Sequence, residues 1–379
     1  LQQYPRVRFR NVDPEAGGEG EARIPLPEGI PGIEHRVHHG ADLHRFGPGV
    51  AFDVLRWDAE AQLGWQHRNF LGGLRRVGVD LRAGYAWVPN PVSTRKEGAV
   101  GLLTADFRQP GVLWRRVDVS ARLQLERGVQ DAYDFFAERI RLGLPLRFAR
   151  RLSIVPSYNL EVYQLSNTEV DFVPGTTPGK GPVLENCNGS VCLLSYLEQL
   201  VAWDGRDDAL DTRRGLYVAL SVQEGFAVGS SGYQYLRLQP ELRAFTPLGR
   251  GAVLAFRTRV GALIPIDETN LPPLVARFSA GGPLSMRGYY TGRLSGMVRQ
   301  RGEWVPVGGN GVADGSLELR LGRGGTLGAV VFVDAAAVAE ASKLPTAYQT
   351  ALDPTRLQWA AGLGLRWRTP FGPLRLDDG

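Results

Sequence analysis

The chain has 379 residues, 43% of them hydrophobic, and a formal net charge of +5. No apolar run reaches the ~20 residues that a membrane helix needs, so a helical membrane protein is excluded. Only three of the 44 basic residues are Lys, and the Arg alternate along strand-like runs instead of clustering on one face, which argues against a nucleic-acid partner.

In chain order, Leu1 to Gly32 show no strand alternation beyond Tyr4–Val12 (YPRVRFRNV) and the short run Ala22-Arg23-Ile24-Pro25-Leu26. There is neither a starting Met nor a signal-peptide pattern, so the chain reads as a mature protein or the tail of a longer one. From Ile33 the pattern becomes strand after strand with period two, at 33 to 45, 53 to 68, 74 to 88, 98 to 108, 115 to 129, 136 to 149, 152 to 165 and 192 to 205. It continues at 214 to 227, 233 to 246, 252 to 266, 316 to 322, 327 to 339 and 357 to 369, with a further start at 373. Between Arg116 and Glu126, Val117, Val119, Ala121, Leu123 and Leu125 take one face, while Asp118, Ser120, Arg122, Gln124 and Glu126 take the other. Arg237, Gln239, Glu241 and Arg243 likewise oppose a row of Leu and Ala, and Arg257 and Arg259 oppose Leu254, Phe256, Val260 and Ala262. One face is fit for lipid; the other, rich in Arg and Glu, requires an aqueous lumen. Short turns such as Leu248-Gly249-Arg250-Gly251 alternate with long loops at 166 to 191 and 267 to 315.

The first strand carries His35, His38, His39 and His44, but on a single strand the first and third share one face and the other two the opposite face, so no metal site is expected. Its Ile33, Val37, Ala41 and Leu43 supply few side chains suited to lipid, so a weak seam with the last strand is expected here. Cys187 and Cys192, the only cysteines, lie in a Gly/Pro/Asn-rich loop and read as a small disulfide of an oxidising compartment. Catalytic constellations are missing: there is no G-x-S-x-G, no H-E-x-x-H, and Gly175 to Lys180 is one residue short of a phosphate loop. Trp57, Trp87, Trp359 and Trp367 lie near strand ends, as interfacial girdles do.

The longest break between strands holds Arg277 to Leu294, RFSAGGPLSMRGYYTGRL. It is too apolar for disorder, and Gly281, Gly282 and Gly288 supply sharp bends, so it is expected to fold against something. Arg287 then needs a carboxylate. Asp334 interrupts the apolar run Val331-Phe332-Val333, where facing lipid is costly, so it is expected to face inward and to want a cation. Glu318 shares its strand face with Arg320.

These residues resemble the bacterial outer-membrane assembly superfamily that includes the BamA and TamA barrels. The resemblance rests on Met286-Arg287-Gly288-Tyr289 after Phe278-Ser279-Ala280-Gly281-Gly282, on Trp65 to Gly73 (WQHRNFLGG), on Val331 to Asp334, and on Gly362 to Leu374. It implies an all-β chain: a transmembrane antiparallel β-barrel of the sixteen-stranded type. The tally above is odd, so the last strand is expected to be missing from this chain. Residues 1–32 are then the end of a periplasmic POTRA-like domain or a linker, and 33–379 the barrel, whose sixth extracellular loop, 267–315, folds into the lumen. Arg287 is implied to pair there with Asp334 and Glu318. The implied activity is insertion of β-barrel proteins into the outer membrane of a Gram-negative bacterium through a lateral gate. It needs no cofactor, metal or bond chemistry. The implied partners are unfolded outer-membrane clients, outer-membrane lipids and periplasmic or lipoprotein accessory subunits. A secretion pore of the two-partner type and a structural anchor of an envelope complex are the alternatives.

Overall fold

The computed structural model describes residues 35–39, 42–53, 56–112, 114–130, 133–167, 191–209, 211–228, 232–249, 251–266, 272–300, 303–322, 326–340, 353, 356–369 and 372–378. The expected POTRA-like segment, Cys187 and Gly175 to Lys180 lie outside them.

The elements are β1 (His35–His39), β2 (Asp42–Asp53), β3 (Arg56–His67), β4 (Arg76–Val88), β5 (Lys96–Gln109), β6 (Val119–Val129), β7 (Asp134–Gly143), β8 (Leu146–Arg147), β9 (Leu152–Ser166) and β10 (Val191–Asp204). They continue as β11 (Gly215–Gly225), β12 (Tyr235–Leu248), β13 (Ala252–Pro265), a 3-10 turn (Leu274–Ala276), β14 (Met297–Gln300), β15 (Glu303–Pro306), β16 (Gly309–Leu321), β17 (Leu327–Glu340), β18 (Gln358–Thr369) and β19 (Gly372–Asp378). Seventeen of the strands form one sheet, and β14 with β15 forms a separate hairpin. Neighbours in sequence pair antiparallel from β2 through β7 to β9, on through β13 to β16, and so to β19. Strand pairing satisfies the backbone in a setting where lipid offers no hydrogen bonds. The fold is an antiparallel transmembrane β-barrel.

Side chains sort by parity. Leu63, Leu123, Ile140, Leu220, Leu317 and Leu363 are exposed outward, as a lipid-facing belt requires. Trp57 pairs across strands with Trp87 beside the long loops, and the Tyr85 and Trp87 rings lie 5.1 Å apart. Inward, charges pair across strands: Arg139 donates to Glu126 at 2.6 Å and to the Tyr163 hydroxyl at 3.2 Å, while Tyr163 and Tyr196 both donate to Glu161 at 2.6 Å. Cys192 is buried and disulfide-bonded.

Among the expected boundaries that change, such as 136 to 149 dividing into β7 and β8, two concern the expected seam and the long loop. The stretch 33 to 45 is not one strand: β1 and β2 pair back on each other, with Val37 opposite His44 and His38 opposite Leu43. His35, His38 and His39 therefore lie on β1 and His44 on β2, so the single-strand face argument holds for the first three alone. Of the four residues expected at the seam, Ile33 and Ala41 lie outside the described residues, Val37 is in the β1–β2 hairpin, and Leu43 is buried on β2. At the other boundary, β16 begins at Gly309, seven residues before the expected 316, because the Gly-rich run there is paired on both sides: Gly311 with Ala262, and Gly309 with Glu340.

At the short-turn end, Asp118 ties three segments together. It is fully buried and accepts from Arg108 Nη2 at 2.6 Å, Arg147 Nη2 at 2.7 Å and the Gly111 amide at 3.3 Å. Burial pushes its carboxyl up, but the hydrogen bonds from Arg108 and Gly111 and the nearby charges of Arg108 and Arg147 outweigh that and hold it below its ordinary value. Its contribution is therefore present above the unfolded value near ~4 and is lost as pH falls through the lower folded value. In wild type, hydrogen-exchange protection of 109–119 is expected to fall in that acid window. In Asp118→Asn it is expected to be low already at neutral pH and flat through the same window; an unchanged acid transition in the variant would contradict the assignment.

Candidate functional site: the lumenal loop clamp

Residues 272–296 fold back against the inward strand faces, tied by backbone ladders. Phe278 exchanges two hydrogen bonds of 2.8 Å with Gly309, and Ala280 pairs with Leu294 at 2.8 and 3.1 Å. The Tyr289 amide donates to the Met286 carbonyl at 3.3 Å, closing a turn with Arg287 and Gly288 at its tip. Leu274, Ala276, Phe278, Ala280 and Met286 are buried in one cluster with the inward residues Tyr163, Tyr196, Tyr235, Leu263 and Val312. Gly261 on β13 leaves the room: a Cβ there would come 2.7 Å from the Phe278 ring.

Arg287 occupies the tip, with its side chain 5% exposed. Its Nε and Nη2 grip Asp334 at 2.7 Å each, in a two-pronged pairing, and its backbone amide reaches the same carboxylate at 3.0 Å. Nη1 donates to Glu318 at 2.7 Å and Nη2 to the Ser316 hydroxyl at 2.9 Å. The guanidinium carbon sits 3.4 Å from the centroid of the Phe332 ring. Asp377 on β19 stands 3.7 Å from Nη1. A planar fork with donors on two edges matches this arrangement, and a Lys could not span it.

Glu318 also accepts from Arg320 Nε at 2.8 Å. On the adjacent strand, Arg257 pairs with Asp314 at 3.0 Å and donates to the Ser285 carbonyl at 3.1 Å, and Arg259 Nε donates to Asp314 at 2.6 Å. Tyr289 donates to Gln358 on β18 at 3.1 Å. Gly281 and Gly282 bend the loop with φ of 107° and 84°. Ser316, Phe332, Asp314, Arg257 and Asp377 were not singled out from the sequence. Ser316 and Phe332 each lie two residues from a named partner on the same strand face, which is a usable signal; Asp377 has none. Between loop and wall remains a cavity of about 1470 Å³, lined by both charged and apolar groups.

A sheet with an apolar outer belt, paired charges inside and a long loop pinned in the lumen defines a β-barrel of the outer-membrane type. Residues 69–379 match the Omp85 superfamily domain. The chain belongs to the Omp85 superfamily. Over 117 residues it is 33% identical to the SAM50-like protein CG7639 of Drosophila melanogaster, covering 31% of this chain and 25% of that protein. Its fold is similar to that of BamA from Haemophilus ducreyi lacking POTRA domains 1-3, with a TM-score of 0.70 and 17% identity, covering 89% of this chain and 66% of that one. CdiB from Acinetobacter baumannii is also similar, at a TM-score of 0.49 and 11% identity, covering 89% and 60%. The chain thus spans under two thirds of the length of these relatives.

Proposed function

We propose that this chain is the barrel of an assembly factor that inserts β-barrel proteins into the outer membrane of a Gram-negative bacterium, with a seam between β2 and β19 as the gate. The observation that carries this reading is the reach of the Arg287 clamp. It joins the lumenal loop to β16 and β17 and comes within 3.7 Å of Asp377 on β19, the last strand in chain order. A loop so placed bears on the edge where a client strand would pair, since an exposed strand edge templates another strand. Its partners are unfolded outer-membrane clients and periplasmic or lipoprotein accessory subunits.

The test is the rate at which an unfolded outer-membrane protein folds into liposomes containing the full-length protein. Wild type is expected to accelerate folding; Arg287→Ala and a disulfide engineered between β2 and β19 are both expected to remove the acceleration. No acceleration by wild type would overturn the insertase reading and favour a secretion pore, for which conductance is the next measurement.

A further inference from the structure

The turns at the short-turn end are not alike. Residues 67–76, 109–119 and 143–152 together hold eight Arg against one acidic residue, the buried Asp118. The next turn, 204–215, holds three Arg against four Asp. Positive charge is therefore gathered in one sector of the rim.

The three turns form a continuous surface. Gln109 donates to the Gly73 carbonyl at 3.3 Å, which joins the first turn to the second. The Arg147 amide donates to the Arg116 carbonyl at 3.0 Å and Arg116 Nη1 to the Phe148 carbonyl at 3.2 Å, which join the second to the third. Arg68, Arg76, Arg115, Arg116, Arg150 and Arg151 are all exposed on it. A hollow of about 440 Å³ lies among Arg116, Arg147, Phe148, Arg150 and Arg151, with Asp204, itself paired to Arg206 at 2.7 Å, as the one carboxylate on its wall.

Apolar groups stand among these charges. Trp114 is 73% exposed and Leu71 78%, with Leu74 and Phe148 also exposed. Leu71 and Leu74 hold φ of 52° and 59°, a left-handed conformation that branched side chains adopt at a cost. In water such groups gain nothing. At the boundary of a lipid leaflet, where the ends of spanning strands lie, exposed Trp and Leu enter the acyl region and Arg meets headgroup phosphates.

We infer that this sector binds the anionic phospholipid headgroups of the leaflet at the short-turn end, holding a patch of acidic lipid beside β3 to β9. The clustered charge favours lipid over a neutral surface by roughly 1 kcal/mol per Arg, about five-fold each, and is screened by salt. This holds whether or not the barrel inserts clients.

The test reconstitutes the full chain in phosphatidylcholine vesicles and in phosphatidylcholine–phosphatidylglycerol vesicles. It reads the emission difference between wild type and Trp114→Phe under quenching by bromine-labelled forms of each lipid. Stronger quenching by phosphatidylglycerol is expected, lost at high salt and lost in Arg150→Glu/Arg151→Glu. Folding of each variant is verified by its heat-dependent gel mobility, and if the Glu pair does not fold, Arg115→Gln/Arg116→Gln carries the same comparison. Equal quenching by the two lipids at low salt would overturn the inference. So would an acidic protein that holds to the rim in pure phosphatidylcholine and is released by the same substitutions, since the occupant would then be a protein.

Discussion

Arg287→Ala is expected to produce the largest loss of stability of any single substitution in the lumen. Truncation removes both prongs to Asp334, the bond to Glu318 and the bond to Ser316 at once. It leaves Asp334, which is fully buried, with its charge uncompensated. Breaking a buried ion pair by deleting one partner costs about 3 to 5 kcal/mol, and the lower end is expected here because Arg320 still donates to Glu318. Urea unfolding in detergent, followed by tryptophan emission, gives the measurement. Arg287→Lys is expected to recover less than half of the loss, since a point charge cannot serve Asp334 and Glu318 together. The double variant Arg287→Ala/Asp334→Ala is expected to be more stable than Arg287→Ala alone, because the stranded carboxylate is gone. A double variant no better than the single one would mean that the pair is not the source of the loss.

The second large effect is expected at Gly281. Its φ of 107° is strained for any residue with a Cβ, and an added Cβ would overlap the Tyr290 carbonyl oxygen. Gly281→Ala therefore combines backbone strain of about 1 to 3 kcal/mol with a clash against backbone that cannot rotate away. Gly292→Ala separates the two effects: φ is again positive, at 74°, but the nearest atom to its Cβ is Ser279 Oγ at 3.8 Å. Gly281→Ala is expected to undock the loop and expose 272–300 to protease, whereas Gly292→Ala is expected to leave it protected. Equal protection in both would show that the loop can shift without leaving the lumen.

Much of this fold could be read from side-chain alternation alone. In a membrane barrel each strand meets lipid on one side and water on the other, so period-two patterning is enforced residue by residue and survives in the linear chain. The rows at Arg116–Glu126, at Leu236–Ala244 and at Leu254–Ala262 are of this kind. The stretch 33 to 45 differs because alternation cannot tell one continuous strand from two strands that pair back on each other. Gly40, midway along 33 to 45, was the available sign of a break. The early start of β16 was hidden for the opposite reason: Gly308, Gly309 and Gly311 carry the composition of a turn, yet Gly309 pairs with β17 and Gly311 with both β13 and β17.

The pinned loop divides along the same line. That Arg287 needs a carboxylate, and that Asp334 cannot face lipid, follow from local chemistry, because an unpaired charge is costly wherever it lies. That Ser316, Phe332 and Asp377 join them depends on strand register across β16, β17, β18 and β19 and on where the loop comes to rest. The same holds for Arg257, which touches the loop through the Ser285 carbonyl. Alternation, charge and glycine placement act over a few residues and are written in the chain. Convergence of groups as far apart as 287, 316, 334 and 377 requires the barrel to bring distant strands round one lumen, and no local pattern encodes that.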